Sequence, residues 1–289
     1  MLIVQLLLSG IQTGLIYALT AAGFALIFGA TRIFHVAHGA TFALAGYAFI
    51  ETAGAGLAWP LACLVSLVVA VGFGLAMDAF VYRPILRHEG SFFTIFVAAF
   101  GMVVVVQSVL ELAFGRSFVS YSSPLTRAAP VLPGLYLAPV FWVAVAVTIA
   151  LLGLTSLFLG RSRAGIGLRA LSESPELLRA FGLSARRLSA LAFALGSALV
   201  VPGAVLRAAT SGLQPSIGPH VMLISLAASI VGGIGSLRGA VLAGLLLGIT
   251  EALVVSVLDT QWSEAAGFVL LFGFILFRPS GLLGQPVAR

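Results

Sequence analysis

Lysine is absent from this chain of 289 residues; all fifteen basic residues are arginine. The absence excludes a phosphate-binding loop of the Gly-Lys-Ser/Thr type and lysine Schiff-base chemistry. Cysteine is nearly absent too. Cys63 stands alone in an apolar run, which rules out an internal disulfide and a cysteine-based zinc site. Charge of either sign is scarce: Asp, Glu, Lys and Arg together make up 8% of the residues, against about 25% in a soluble domain. Too few polar groups exist to cover a water-facing surface. Only two aspartates occur, Asp78 and Asp259, expected near opposite faces, and there is no Gly-x-Ser-Gly. Neither intramembrane protease pattern is present, and the chain reads as a non-enzyme.

What is there is hydrophobic, at 61% of the residues. Apolar runs such as 61–73, 92–110 and 138–159 approach or exceed the roughly 20 residues needed to cross a bilayer core. With no water in that core the backbone must close its own hydrogen bonds, so helices are expected. The ten-residue alternation of a β-barrel is not visible. The fold class is therefore all-α, a polytopic transmembrane helix bundle. The spans read as about 3–28, 36–51, 59–81, 92–114, 138–159, 188–208, 220–236, 240–258 and 264–278. The second, seventh and ninth are short or interrupted by glycine, which leaves eight to ten membrane segments. The first run lacks a basic n-region and reads as a span, not a cleaved signal.

Arginine sets the expected orientation. The 161–187 loop carries Arg161, Arg163, Arg169, Arg179, Arg186 and Arg187, and the 83–91 loop carries Arg83 and Arg87; both belong on the cytoplasmic side. Nine spans then put Arg32, Arg238, Arg278 and Arg289 on that side too, with the N-terminus outside and 116–137 as the longest outer connection. A re-entrant short segment would flip the parity on one side of it and leave both large arginine loops inside. The net charge of +6 is dispersed between apolar spans, which suits an anionic membrane surface and not nucleic acid.

Inside the 161–187 loop, Ser172-Glu173-Ser174-Pro175-Glu176 reads as a helix start, with a capping serine, an early proline and acids at the positive end of the dipole. Leu177, Leu178, Phe181 and Leu183 form an apolar edge and Gly182 ends the turn. Such a segment is either a docking surface or an interfacial helix lying on headgroups.

Polar groups within spans are the functional candidates. Glu251 sits between apolar runs, where an acid costs about 3 kcal/mol near mid-helix, so it should face a partner or a cavity. Asp78, five residues before Arg83, reads as an interfacial ion pair. His35 and His38 have the spacing for one helical face but lack a carboxylate or cysteine to complete a metal site; hydrogen bonding at a helix start is the better reading. His88 and His220 read as isolated residues in loops or at a span end. Gly232-Gly233-Ile234-Gly235-Ser236-Leu237-Arg238-Gly239 is no dinucleotide loop, because no βαβ unit surrounds it. It reads as a helix break, repeated in character by Gly39 and Gly46 in the first half. Interrupted segments in both halves point to a transport path.

Several stretches, in order along nearly the whole chain, carry a resemblance. They are Ile33-Phe34-His35-Val36-Ala37-His38-Gly39, Tyr82-Arg83-Pro84-Ile85-Leu86-Arg87, Gly167-Leu168-Arg169-Ala170 through Ser174-Pro175-Glu176 with Phe181-Gly182-Leu183, Val231-Gly232-Gly233-Ile234-Gly235-Ser236 with Arg238-Gly239-Ala240, Gly248-Ile249-Thr250-Glu251, and Phe277-Arg278-Pro279-Ser280-Gly281-Leu282-Leu283-Gly284. Together they resemble the LivH-type permease subunits of ABC importers for branched-chain amino acids. His35 departs from the family's usual Asn, and Asp78 from its common Glu.

The resemblance implies one permease domain over 1–289. It implies two cytoplasmic ABC ATPase subunits docked at 161–187, with Arg169, Glu173, Pro175, Glu176, Phe181, Gly182 and Leu183 as coupling candidates. A second related permease subunit, an external substrate-binding protein and membrane lipid complete the expected partners, in a bacterial inner membrane. The chain itself is expected to bind no cofactor, since ATP and Mg belong to the ATPase subunits. Translocation-path candidates are His35, His38, Gly39, Gly232, Gly233, Gly235, Ser236 and Glu251. Branched-chain amino acids are the expected substrates, with urea, short amides or aromatic acids as alternatives. Outside the family, the residues also admit an ATP-independent channel or proton-coupled carrier, with Glu251 or His38 titrating, or a structural scaffold.

Overall fold

The computed structural model describes residues 2–122, 124–133, 135–258, 262–278 and 280–283. Asp259, Pro279, Gly284 and Arg289, named above, lie outside the described residues. The helices are α1 (Leu2–Thr31), α2 (His38–Gly54), α3 (Trp59–Ala76), α4 (Arg83–Arg87), α5 (Phe92–Phe114), α6 (Pro139–Arg161), α7 (Arg163–Glu173), α8 (Pro175–Ala180), α9 (Ala185–Thr210), α10 (Ile217–Gly232), α11 (Leu237–Val257) and α12 (Ser263–Phe277). A π-helical turn, Met77–Tyr82, fuses α3 to α4. The strands β1 (Ala129–Leu132) and β2 (Leu135–Leu137) form an antiparallel hairpin.

Local chemistry explains the boundaries. Ser91, Ser162, Ser174, Ser184 and Ser236 cap α5, α7, α8, α9 and α11 by accepting from a backbone N–H in the first turn. Proline occupies the first turn of α3, α4, α6 and α8, where its missing N–H costs nothing. α1 runs on to Thr31, three residues past the expected end, and stops where Arg32 takes a positive φ of 58°.

Among the described residues, six helical segments are long and apolar enough to cross a membrane: Ile3–Thr31, Trp59–Arg87, Phe92–Phe114, Pro139–Arg161, Ala185–Thr210 and Leu237–Val257. The other three expected spans are α2, α10 and α12, with 17, 16 and 15 residues. At 1.5 Å per residue they reach only about 23–26 Å, less than the roughly 30 Å hydrocarbon core. α2 and α10 can be short because they are shielded by other helices. Their starts meet at Gly39 and Gly218, where a Cβ on Gly39 would lie 2.0 Å from the Gly218 carbonyl oxygen.

The packing repeats itself. α1, α2, α3 and α5 find counterparts in α9, α10, α11 and α12. The α1–α11 contact corresponds to α9–α3, α1–α10 to α9–α2, α10–α11 to α2–α3, and α10–α12 to α2–α5. α1 and α9 run antiparallel: Gly23 meets Gly196, and Ile16 meets Gly203. The two quartets therefore have opposite chain sense, the arrangement of an inverted repeat. α1 lies at the centre, buried on most sides, whereas α6 is exposed on almost all of its surface.

At one end, the 116–137 connection is stitched down. Val119 pairs with Leu213, and the Gln5 side chain donates to the Tyr136 carbonyl at 2.9 Å and accepts from its N–H at 3.0 Å. At the other end, Asp78 forms the expected ion pair with Arg83, and the structure adds that it is buried. It lies in the π-helical turn and accepts from the Ser189 hydroxyl of α9 at 2.8 Å. Arg83 also donates to the Arg186 carbonyl at 3.0 Å. Asp78 thereby ties the π-helical turn that follows α3 to the first turns of α9.

Candidate functional site

Tyr17, Phe24 and Phe28 are spaced seven and four residues apart, so they share one face of α1. Two hollows open along that face. The first is lined by Tyr17 of α1, His220, Leu223, Ile224 and Ala227 of α10, Leu247 and Glu251 of α11, and Gly267 and Phe268 of α12. The Tyr17 hydroxyl donates to Glu251 Oε2 at 2.6 Å. A carboxylate on a long apolar helix is thus held by a phenol from the central helix. The surrounding wall is apolar except for the His220 imidazole. Chemically, a carboxylate set in an apolar wall can meet one cationic group, in a cavity of about 40 Å³.

The second hollow has a different character. Phe24, Ala25, Phe28 and Phe34 line it together with Leu226, Ser229, Ile230, Ile234 and Gly235, and none of these side chains is ionisable. Phe34 packs edge-on against Phe24 and Phe28, at centroid distances of 5.6 and 6.2 Å.

Of the path candidates, Glu251 and Gly235 line these hollows. The two histidines do not. His35 and His38 are fully buried, with ring centroids 5.7 Å apart. His35 Nδ1 lies 2.6 Å from the Tyr82 hydroxyl, and its ring stands edge-on to Phe193 at 5.1 Å. His38 Nε2 donates to the Thr20 carbonyl at 2.9 Å. They tie the start of α2 to α1, to the π-helical turn and to α9, in keeping with hydrogen bonding at a helix start. No group of three or more metal-ligating side chains forms among the described residues.

Gly39, Gly232, Gly233 and Ser236 shape the backbone. Gly39 permits the crossing with Gly218, and Gly232 packs on Gly239, where a Cβ would lie 2.2 Å from a carbonyl carbon. Gly233 and Gly235 take positive φ values of 103° and 83°, so the helix breaks where the sequence predicts. Ser236 restarts it as the cap of α11.

The coupling candidates cluster on another surface. Ser174 caps α8 and accepts from the Leu177 N–H, with Pro175 and Glu176 in the first turn, as expected. Glu173 falls elsewhere: it is the last residue of α7, a helix that the loop reading did not anticipate. It lies at that helix's negative end because the Ser174 cap separates α7 from α8. Leu178 is buried and anchors α8, while Leu177, Phe181 and Leu183 are 63%, 82% and 49% exposed. Arg169, Glu173, Pro175, Glu176 and Gly182 surround that apolar edge, all exposed. His88 lies in an exposed turn.

Sequence reasoning missed Tyr17 and His220. Tyr17 sits in an unbroken apolar helix, and His220 is 31 residues from Glu251 across the α10–α11 hairpin. The one available signal was that Glu251 needed a partner inside the membrane.

A profile of the family described as branched-chain amino acid transport system / permease component matches residues 6–277. The chain is 32% identical to the high-affinity branched-chain amino acid transport system permease protein BraD of Pseudomonas aeruginosa, over 98% of this chain and 96% of that protein. It is 28% identical to the corresponding LivH protein of Escherichia coli, with the same coverage. Among solved structures, PsaBC from Streptococcus pneumoniae in complex with Fab shares the fold, with a TM-score of 0.56 at 10% identity over 94% of this chain and 91% of that one.

Proposed function

The chain belongs to the branched-chain amino acid transport system permease family, and from that premise we propose that it is the membrane subunit of an ATP-driven importer for leucine, isoleucine and valine. It is a multi-pass membrane protein that carries no phosphate-binding loop. The energy therefore comes from separate ATPase subunits, which use ATP and Mg. These dock on the α7–α8 surface through Leu177, Phe181 and Leu183, with Arg169, Glu173, Pro175, Glu176 and Gly182 around them. A second permease subunit and an external binding protein complete the assembly, in a bacterial inner membrane with the α7–α8 end cytoplasmic.

The observation that carries the reading is the family match across nearly the whole chain. The Tyr17–Glu251 hollow supports the substrate. Glu251, held by Tyr17, offers a carboxylate to the substrate ammonium, and Leu223, Ile224 and Phe268 offer contact to a branched aliphatic side chain. In the second hollow the aromatic wall holds no charge, so substrate arriving there is bound weakly and released. His35, His38, Gly39, Gly232, Gly233 and Ser236 hold the helices that form the path, and Gly235 lines it.

The test is ATP hydrolysis and uptake by the complete importer reconstituted in liposomes. Leucine is expected to stimulate hydrolysis, and Glu251→Gln to reduce leucine uptake about tenfold or more, the size of one charge-assisted hydrogen bond. Stimulation by urea and not by leucine would overturn the substrate. Uptake by this chain alone would overturn the ATP-driven mechanism.

A further inference from the structure

α9 carries a feature that the transport path does not use. Between α3 and α6 one of its faces forms the floor of an open apolar groove. Ala198 and Pro202 lie in the floor, Leu64 and Leu67 of α3 form one wall, and Leu151 and Thr155 of α6 form the other. Residues 187, 190, 194, 198 and 201 recur at helical steps of three and four, so this face continues toward the start of α9. There a second hollow is lined by Arg83, Ser184, Arg186, Arg187 and Ala190. The two hollows follow one another on this face of α9, the cationic one toward the helix start and the apolar one beyond it.

Two of the three charges at that end, those of Arg186 and Arg187, have no acid partner among the described residues. Both are exposed, whereas Arg83 is paired with Asp78. The Arg83 side chain holds the Arg186 carbonyl, which fixes the backbone that carries the other two guanidinium groups beside it. From Ala190 to Pro202 the helix rises about 18 Å, close to the roughly 15 Å of one leaflet's share of the hydrocarbon core. Leu64 on one wall is 53% exposed and α6 is bare on nearly all sides, so the groove opens sideways into the bilayer.

We infer that this groove holds one anionic phospholipid. The phosphate sits among Arg83, Arg186 and Arg187, and an acyl chain lies between α3 and α6 on Ala198 and Pro202. Charge complementarity selects the occupant: the two uncompensated guanidinium groups of Arg186 and Arg187, with Arg83 beside them, match a phosphodiester, and the remaining length matches only hydrocarbon. The lipid braces the junction of α3 and α9, next to the α7–α8 surface.

Native mass spectrometry of the full-length chain in mild detergent tests this, with phosphatidylglycerol, phosphatidylcholine of the same acyl chains, and inorganic phosphate as separate additions. Phosphatidylglycerol is expected to bind preferentially. In R186Q/R187Q its binding should weaken about 25-fold, about fivefold for each arginine at an anionic headgroup. Leu64→Trp, an exposed position that narrows the groove without touching the arginines, should weaken binding as well. Equal binding of phosphatidylcholine, equal binding of inorganic phosphate, a co-purifying polypeptide in place of lipid, or unchanged phosphatidylglycerol binding in either variant would each overturn the assignment.

Discussion

Backbone contact between helices is set here by single hydrogen atoms. At the α1–α9 crossing, a Cβ on Gly23 would lie 2.4 Å from the Gly196 carbonyl oxygen, and one on Gly196 would lie 2.7 Å from the Gly23 carbonyl oxygen. Small residues allow this approach, and in a bilayer close packing replaces the hydrophobic drive between helices. Gly23→Ala must push α1 away from α9 and disturb the His38 ring beside it, 3.0 Å from the added carbon. The expected loss is about 1–3 kcal/mol, visible as a lower thermal midpoint in detergent. Gly153→Ala, with open space around it, should leave the midpoint unchanged or raise it. Equal effects of the two substitutions would refute the crossing. Glu251 makes a contrasting case. Its need for a partner is legible from its apolar surroundings, but Tyr17 as that partner is not, because 234 residues separate them.

At the scale of elements, the α7–α8 segment joins local legibility to tertiary support. Serine, proline and glutamate spell the start of α8 in adjacent positions, and Gly182 ends it with a φ of 75°. Those are short-range rules, so they can be read from the sequence. That Leu178 turns inward while Leu177 and Phe181 turn outward depends on α9 beneath it. Phe181→Arg should abolish co-purification of the ATPase subunits, since it places a charge at the centre of the apolar edge. Gly182→Trp should do the same by forcing a side chain into a left-handed backbone, at a local cost of about 1–2 kcal/mol. Both variants should insert and migrate normally on size exclusion. Full ATPase retention by both would remove the docking role of this surface. The short helices α2 and α10 were likewise visible as short, yet their meeting at Gly39 and Gly218 was not, because the glycines lie in different halves of the chain.

For the whole molecule, the connections sort to two ends. The 116–137 connection, the start of α1 and the 211–216 turn gather at one end through Gln5 and Leu213, and the arginine-rich turns and α7–α8 belong to the other. With the positive end facing the cytoplasm, a two-sided labelling pattern is expected. In a Cys63→Ser background, cysteine at Phe118 should react with an impermeant maleimide in spheroplasts. Cysteine at Phe181 should react only after permeabilisation. Labelling of both from the same side would invert or break the topology.

By itself the sequence determined the material and the order: a hydrophobic helical chain, its six long apolar helices, the start of α8 and the glycine break after α10. Those follow from composition and from interactions over a few residues, which is all that periodicity and caps report. Only the tertiary structure decided what lies inside. It sent His35 and His38 into the core, buried Asp78 as a tie between the π-helical turn and α9, brought Tyr17 and His220 to the Glu251 hollow, and set the arginines at the start of α9 on the same face as an apolar hollow between α3 and α6. The reason is physical: a helix shows which face is apolar, but in a bilayer lipid and protein are equally apolar neighbours. Which of them a face meets is settled by backbone approach between distant segments.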